Sequence, residues 1–348
     1  MAIAREDARH AFRRLANLVS RPPGEFHLIE RLLGRLGPGR RAILGPGDDC
    51  AILPPVRARQ LLTIDSLVED VHFRVAWTTP EALGARALTV NLSDIAAMGG
   101  KPTVCVVNLV VRDGLGVRFF ERMYTGLGST ARQSRVEVVG GNVTRASALT
   151  VTIALLGEVR GGALRRDAAR AGDAIYVTGT LGDAAAGLGI LSGRLRARGA
   201  ARKFLADRFL QPVARVAAGQ RLARIKPTPA AIDLSDGLWQ DLGHVLERSR
   251  VGAEIDAAAL PLSEAYRAVL GGDPTLALGG GEDYELLFCL REPRSAAALT
   301  RSLGVPVSRI GRVTASGKAV LINASGAALR DGAPALAGWD QLRSQSDA

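Results

Sequence analysis

The chain has 348 residues, 47% of them hydrophobic and 23% charged, which is the balance of a globular protein with room for two cores rather than of a disordered one. Its formal charge of +11 rests on arginine: only Lys101, Lys203, Lys226 and Lys318 are lysines, and with aromatics at 4% there is little material for stacking nucleic-acid bases. That favours anionic small substrates over a nucleic-acid partner. The three cysteines (Cys50, Cys105, Cys289) are far apart, with no CxxC pair, which suits a reducing cytoplasm; no apolar run reaches the ~20 residues of a membrane span.

In chain order, residues 1–23 read as a basic helical extension. EFHLIERLLGRL (25–36) spaces Phe26, Ile29, Leu32, Leu33 and Leu36 as one face of a helix. QLLTIDS (60–66) predicts a strand ending on polar residues. A helix follows from Thr79 as N-cap, through Pro80 at its first position, to a stop at Gly99–Gly100. Strands are predicted at 103–111, 135–139 and 148–158, with a helix over 117–133. Past a Gly/Arg-rich link, which sets a domain boundary near 160, strands at 174–178, 230–233, 252–256, 284–289 and 307–313 alternate with helices. The fold class is α/β in two domains, 24–160 and 161–348.

Against the basic background, acids gather beside glycines and strand ends. They are Asp48 and Asp49 in GPGDDCAIL; Asp65, Glu69 and Asp70 in TIDSLVEDVHF; Asp94 in VNLSDIAAMGG; Asp233 and Asp236 in AIDLSDGL; and Glu282, Asp283 and Glu285 in GGGEDYELLF. Any one alone is equally a solvated turn or a helix cap. Asp94 is different, because it interrupts an apolar helix where an unpaired carboxylate is costly to bury. Carboxylates without a His/Cys set specify a hard cation, Mg²⁺ or Mn²⁺. The chain has no GxxxxGK[ST], HRD, DFG or GxSxG motif, so metals and glycine backbone amides must hold any phosphates, and VVGGNVTRAS (138–147) offers a candidate turn for this.

GEFHLI, GPGDDCAIL, TIDSLVEDVHF, ALTVNLSDIAAMGGKP, GGNVTR, YVTGTLGDAAAGL, AIDLSDGL and GGEDYELLF, in that order from residue 24, resemble thiamine-monophosphate kinases. These belong with the aminoimidazole ribonucleotide and selenophosphate synthetases. The resemblance implies a homodimer formed by pairing of the N-terminal sheets, and ATP-dependent phosphorylation of thiamine monophosphate to thiamine diphosphate by direct in-line transfer. It implies Mg²⁺, with Mn²⁺ as a substitute, on Asp48, Thr63, Ile64, Asp65, Asp94, Asn142, Asp233 and Asp236. Charge neutralisation in the reaction falls to Asp65, Asp94 and Asp236. ATP contacts fall on Gly141, Asn142, Arg166 and Ser235, and thiamine-phosphate contacts on His72, Glu282 and Trp339. The family carries aspartate where this chain has Asn142, and residues 1–23 lie outside the match.

Overall fold

The computed structural model describes residues 25–36, 39–46, 50–323 and 328–331. Helix α1 (Glu25–Leu33) opens it, as the apolar spacing predicts. A first sheet follows, of β1 (Arg59–Val68), β2 (Lys101–Val111), β3 (Glu137–Arg145) and β4 (Thr150–Val159), in the order β1-β4-β2-β3. Only β2 and β3 run parallel. Helices α2 (Pro80–Ala97) and α3 (Val117–Ser134) cover one face of this sheet. Along β4, alternate residues Val151, Ile153 and Leu155 are buried beneath them, which is the two-residue period of a sheet covered on one side.

The second half folds around a seven-stranded, mostly antiparallel sheet. Its strands are β5 (Ala174–Thr178), β6 (Ala230–Asp233), β7 (Gly252–Asp256), β8 (Leu286–Leu290), β9 (Val307–Thr314), β10 (Ala319–Ile322) and β11 (Ala328–Asp331). The order is β11-β10-β7-β9-β5-β8-β6. Every residue of β5, β6 and β8 is buried, because helices cover both faces. On one side lies α7 (Leu238–Ser249), and on the other α6 (Val216–Leu222) and α10 (Ala296–Leu303). The remaining helices are α4 (Asp183–Leu191), α5 (Gly199–Leu210), α8 (Glu264–Leu270) and α9 (Thr275–Gly279).

Helix α2 joins the two halves. Thr79 caps it by accepting the Ala82 N–H at 3.2 Å, Pro80 takes the first position, and Gly99 turns the chain away at φ +70. It is buried on nearly all sides, packing on α3, β1 and β4 and also on β6 and α6 of the second half. The α2–α3 approach depends on two glycines. A Cβ on Gly84 would lie 1.9 Å from Met123 O, and one on Gly126 1.9 Å from Glu81 O.

One expectation is corrected. VVGGNVTRAS is not a phosphate-cradling turn: Gly140, Gly141 and Asn142 lie within β3, in register with Val106, Val107 and Asn108 of β2. Gly141 is there because a Cβ would come within 2.1 Å of Val107 O, a close strand approach that sequence inspection takes for a turn signal.

Gly126→Ala is expected to destabilise the fold by about 1–3 kcal/mol, since the added methyl meets a neighbouring helix backbone. Gly243→Ala, on α7 with nothing within 4 Å, is expected to stabilise it by about 0.5–1 kcal/mol. Urea midpoints of the two variants against the parent measure both effects.

Candidate active site

Strand alternation turns Thr63 and Asp65 to the same side of β1, toward α2. Thr63 Oγ1 donates to Asp94 Oδ2 there, and one residue earlier on α2 Ser93 Oγ donates to Asp233 Oδ2 at 2.7 Å. Asp233 ends β6, and Asp236 follows in the turn before α7. Burial, then repulsion from Asp94, Asp233, Glu282 and Asp236, pushes the Asp65 carboxyl up to about 7. Burial, then Asp94, does the same to Asp233, also to about 7. Asp94 and Asp236 are raised as well, in each case chiefly by burial. Arg166, in the short turn Arg166–Ala168, counters the rise at Asp94, Asp233 and Asp236 and is therefore near all three.

Among the described residues no three His, Cys, Asp or Glu side chains close into a ready-made metal cage. Mg²⁺ seldom needs one, because it is held by one or two carboxylates together with substrate phosphates and water. Desolvated, mutually repelling oxygen donors fit such a hard cation and suit zinc poorly.

A second corner adjoins this cluster. His72 Nδ1 accepts the Val68 N–H at 3.1 Å, which directs the proton of the neutral ring to Nε2. Burial lowers the pKa of His72, with Glu282 raising it and Arg86 lowering it again. Glu282 Oε2 accepts from Arg86 Nη2 at 2.7 Å and from the Tyr284 hydroxyl at 3.1 Å. The glutamate backbone is equally fixed: its N–H reaches Ser235 O at 2.7 Å, and both Glu282 and Tyr284 are left-handed, at φ +72 and +52. Conformations of this kind persist in non-glycine residues only where the surroundings hold them.

The other two acids of GGEDYE point away from the corner. Asp283 accepts the Gly182 and Ala184 N–H groups at the start of α4, at 2.7 and 3.3 Å. Glu285 is fully buried, bonded by Thr178 Oγ1 at 2.6 Å and Arg208 Nη2 at 3.1 Å and ion-paired with Arg215. These contacts anchor the loop that carries Glu282.

Thus Thr63, Asp65, Asp94, Asp233, Asp236 and Arg166 come together, with His72 and Glu282 beside them. Ser235 is in the same turn as Asp236, its carbonyl holding Glu282. Neither Ser235 nor Asp236 caps α7. Asp241, inside that helix, instead reaches back to the Asp236 and Gly237 N–H groups at 3.1 Å each, and burial pushes it up to about 8. The Ile64 side chain lies on the opposite face of β1, 64% exposed and without a donor atom, so only its backbone carbonyl is available to a cation. Gly141 and Asn142 are on β3, the far edge of the sheet from β1, where Asn142 Nδ2 donates to Asn108 Oδ1 at 2.9 Å; a single chain does not bring them to the aspartates. Asp48 and Trp339 lie outside the described residues. Arg86, Ser93, Tyr284 and Asp241 were not anticipated. For Ser93 the signal was its place beside Asp94 in α2; Arg86 offered none before its burial was known.

Residues 47–159 match the family described as AIR synthase related protein, N-terminal domain, and residues 170–323 match its C-terminal domain. Thiamine-monophosphate kinase of Escherichia coli (strain K12) is 40% identical over 324 residues, which is 91% of this chain and 96% of the relative. That of Bacillus subtilis (strain 168) is 33% identical over 305 residues, 86% and 94% of the two chains. The crystal structure of thiamine-monophosphate kinase from Stenotrophomonas maltophilia K279a has a TM-score of 0.77 at 39% identity, over 86% of this chain and 96% of that one. A structure of AaThiL complexed with AMPPCP and TMP has a TM-score of 0.72 at 33% identity, over 93% and 99%. The chain belongs to the thiamine-monophosphate kinase family. Its resemblance to the family is borne out, and so is the α/β fold with two sheets.

The raised carboxyls make a stability prediction. A carboxyl lifted from 3.8 to about 7 on folding keeps its proton in the folded state over that interval. Stability contributed by such a group is therefore present in acid and lost as pH rises from about 4 to about 7. Without divalent cations, Asp233→Asn is expected to remove this loss. The stability of the variant relative to the parent should rise between about pH 4 and about pH 7 and level off above, measured as urea midpoints in chelator.

Proposed function

We propose that this chain transfers the γ-phosphoryl group of ATP in line to the phosphate of thiamine monophosphate, giving thiamine diphosphate and ADP with no phosphoenzyme. The observation that carries the reading is the set of four desolvated aspartates, Asp65, Asp94, Asp233 and Asp236, gathered around α2 with Arg166 close by. Family membership supports ATP-dependent phosphorylation of thiamine monophosphate as the activity. The relative complexed with AMPPCP and TMP supports a site that takes both substrates together.

Two phosphate-bearing substrates repel each other, by about 4 kcal/mol per pair of unit charges at 4 Å in a protein-like medium. Phosphoryl transfer is limited by that repulsion and by alignment more than by covalent chemistry. The carboxylates and Thr63, with Asp48, would hold Mg²⁺, which would supply positive charge to offset that of the phosphate oxygens. Thr63 and Ser93 fix the directions of Asp94 and Asp233, so little reorganisation is left to the reaction. Arg166 presents a planar fork to nucleotide phosphates. His72 donates through Nε2 and Glu282 accepts, which complements an aminopyrimidine bearing ring-nitrogen acceptors and one exocyclic amine. Residues 24–160 form the ATP- and Mg²⁺-binding half in this reading, and 161–348 the half that completes the cleft.

The functional unit is a homodimer paired through the first sheet. On the face of that sheet away from α2 and α3, Leu62 is 73%, Ile64 64% and Val106 41% exposed. Large apolar side chains grouped on one sheet face mark an interaction surface. Asn142 and Asn108 are on this same face, so contact between Asn142 and nucleotide requires the paired state. Among the described residues no helix is long and apolar enough to cross a membrane.

Purified protein with Mg-ATP and thiamine monophosphate should form thiamine diphosphate, with free thiamine unreactive and excess chelator abolishing turnover. Asp65→Asn should fold and lose about 10²–10³ in rate, the scale of one lost transition-state electrostatic contact. Labelled ATP alone should leave the protein unlabelled; an acyl-phosphate on an aspartate would overturn direct transfer. Leu62→Lys with Ile64→Lys should sediment as a single chain where the parent sediments as two, with a raised KM for ATP.

A further inference from the structure

Among the described residues Arg86 is the largest fully buried side chain, 2% exposed and set within α2. Its guanidinium stacks over the Phe209 ring of α5, with Cζ 4.3 Å from the centroid. Nη2 makes a single 2.7 Å bond to Glu282 Oε2, and Nε is buried with no hydrogen-bond partner among the described residues. For packing alone this is a poor choice, since desolvating a guanidinium and orphaning one of its N–H groups costs more than a hydrophobe of the same volume. The arrangement at Glu282 is what makes sense of it. Both bonds accepted by the carboxylate, from Arg86 and from Tyr284, fall on Oε2, while Oε1 accepts none among the described residues.

We propose that Arg86 is a positioning residue for acceptor recognition, pinning Glu282 by one oxygen so that the other faces the amino group of the bound substrate. The inference rests on the reading of Glu282 as a thiamine-phosphate contact. Arg86 supplies the fixed end of the clamp because it is buried: α2 packs on strands of both sheets, and Phe209 covers one face of the guanidinium. Tyr284, itself buried in the first core, holds the same carboxylate oxygen through its hydroxyl. The backbone of residue 282, tied to Ser235, sets where the side chain begins, and Arg86 sets where it ends. Without Arg86 the carboxylate would swing among rotamers, and recognition would carry the cost of ordering it.

The test is steady-state kinetics of Arg86→Met, Arg86→Lys and Glu282→Gln, and of the Arg86 variants combined with Glu282→Gln. Arg86→Met is expected to raise the KM for thiamine monophosphate about tenfold or more, the effect of losing one hydrogen bond to a charged group. The KM for ATP should stay within about twofold, with Arg86→Lys intermediate for the acceptor. In the Glu282→Gln background the Arg86 substitution should add less than about twofold, because residues acting through one contact are not additive. A folded Arg86→Met with the parent's acceptor KM, or full additivity with Glu282→Gln, would overturn the proposal. If Arg86→Met fails to fold, the cycle is run with Arg86→Lys, and additivity there has the same meaning. A parent protein that neither binds nor phosphorylates thiamine monophosphate overturns the substrate reading and this proposal together. Parent turnover with unmoved variants overturns this one alone.

Discussion

Four carboxylates that repel one another are kept close and partly withdrawn from water, and much of the architecture exists to make that tolerable. Each would be cheaper on the surface. They stay because each is fixed from a different element: Asp65 from β1, Asp94 from α2, Asp233 from the end of β6 and Asp236 from the turn beyond it. Hydroxyls of Thr63 and Ser93 offset part of the cost with directed hydrogen bonds. Arg166 offsets another part without neutralising any single partner. The result is a site under electrostatic tension, relieved by protons in acid or by cations where the carboxylates are charged.

The second sheet contributes rigidity to this. β5, β6 and β8 are buried on both faces, so Asp233 projects from a strand packed on all sides. The loop after α9 is held by Asp283 on the α4 amides and by Glu285 between Arg208 and Arg215. Arg208 and Phe209 are neighbours on α5, so the end of one helix steadies both Glu285 and Arg86. Acceptor recognition and metal chemistry thus share their supports.

Much of this was legible in the sequence, for identifiable reasons. β5, β6 and β7 begin and end where short apolar runs meet Gly, Asp or Pro, since strands buried in a sheet interior leave that mark. The caps of α2 were equally plain in Thr79, Pro80 and Gly99. β3 was obscured because Gly140–Gly141 signals a turn in one dimension and a tight strand pairing in three. Asp94 stood out as an acid in apolar surroundings, and Asp65 and Asp233 as acids at strand ends. Arg86 did not, because one more arginine in an arginine-rich chain carries no local signal until its burial is known. The opposite directions of Glu282 and Asp283 depend on a left-handed backbone that adjacent acids do not advertise.

Helix α2 has one further consequence, for how the chain can change in length. Arg86, Ser93 and Asp94 engage Glu282, Asp233 and Thr63, while Gly84 fits against the backbone of α3. Inserting or deleting a single residue between Arg86 and Ser93 rotates one anchor against the others by about 100°. No sliding of the helix restores all of them, because the crossing at Gly84 is already in van der Waals contact. The segment from 80 to 97 therefore evolves by substitution only, and variation in length is confined to the surface connections around it.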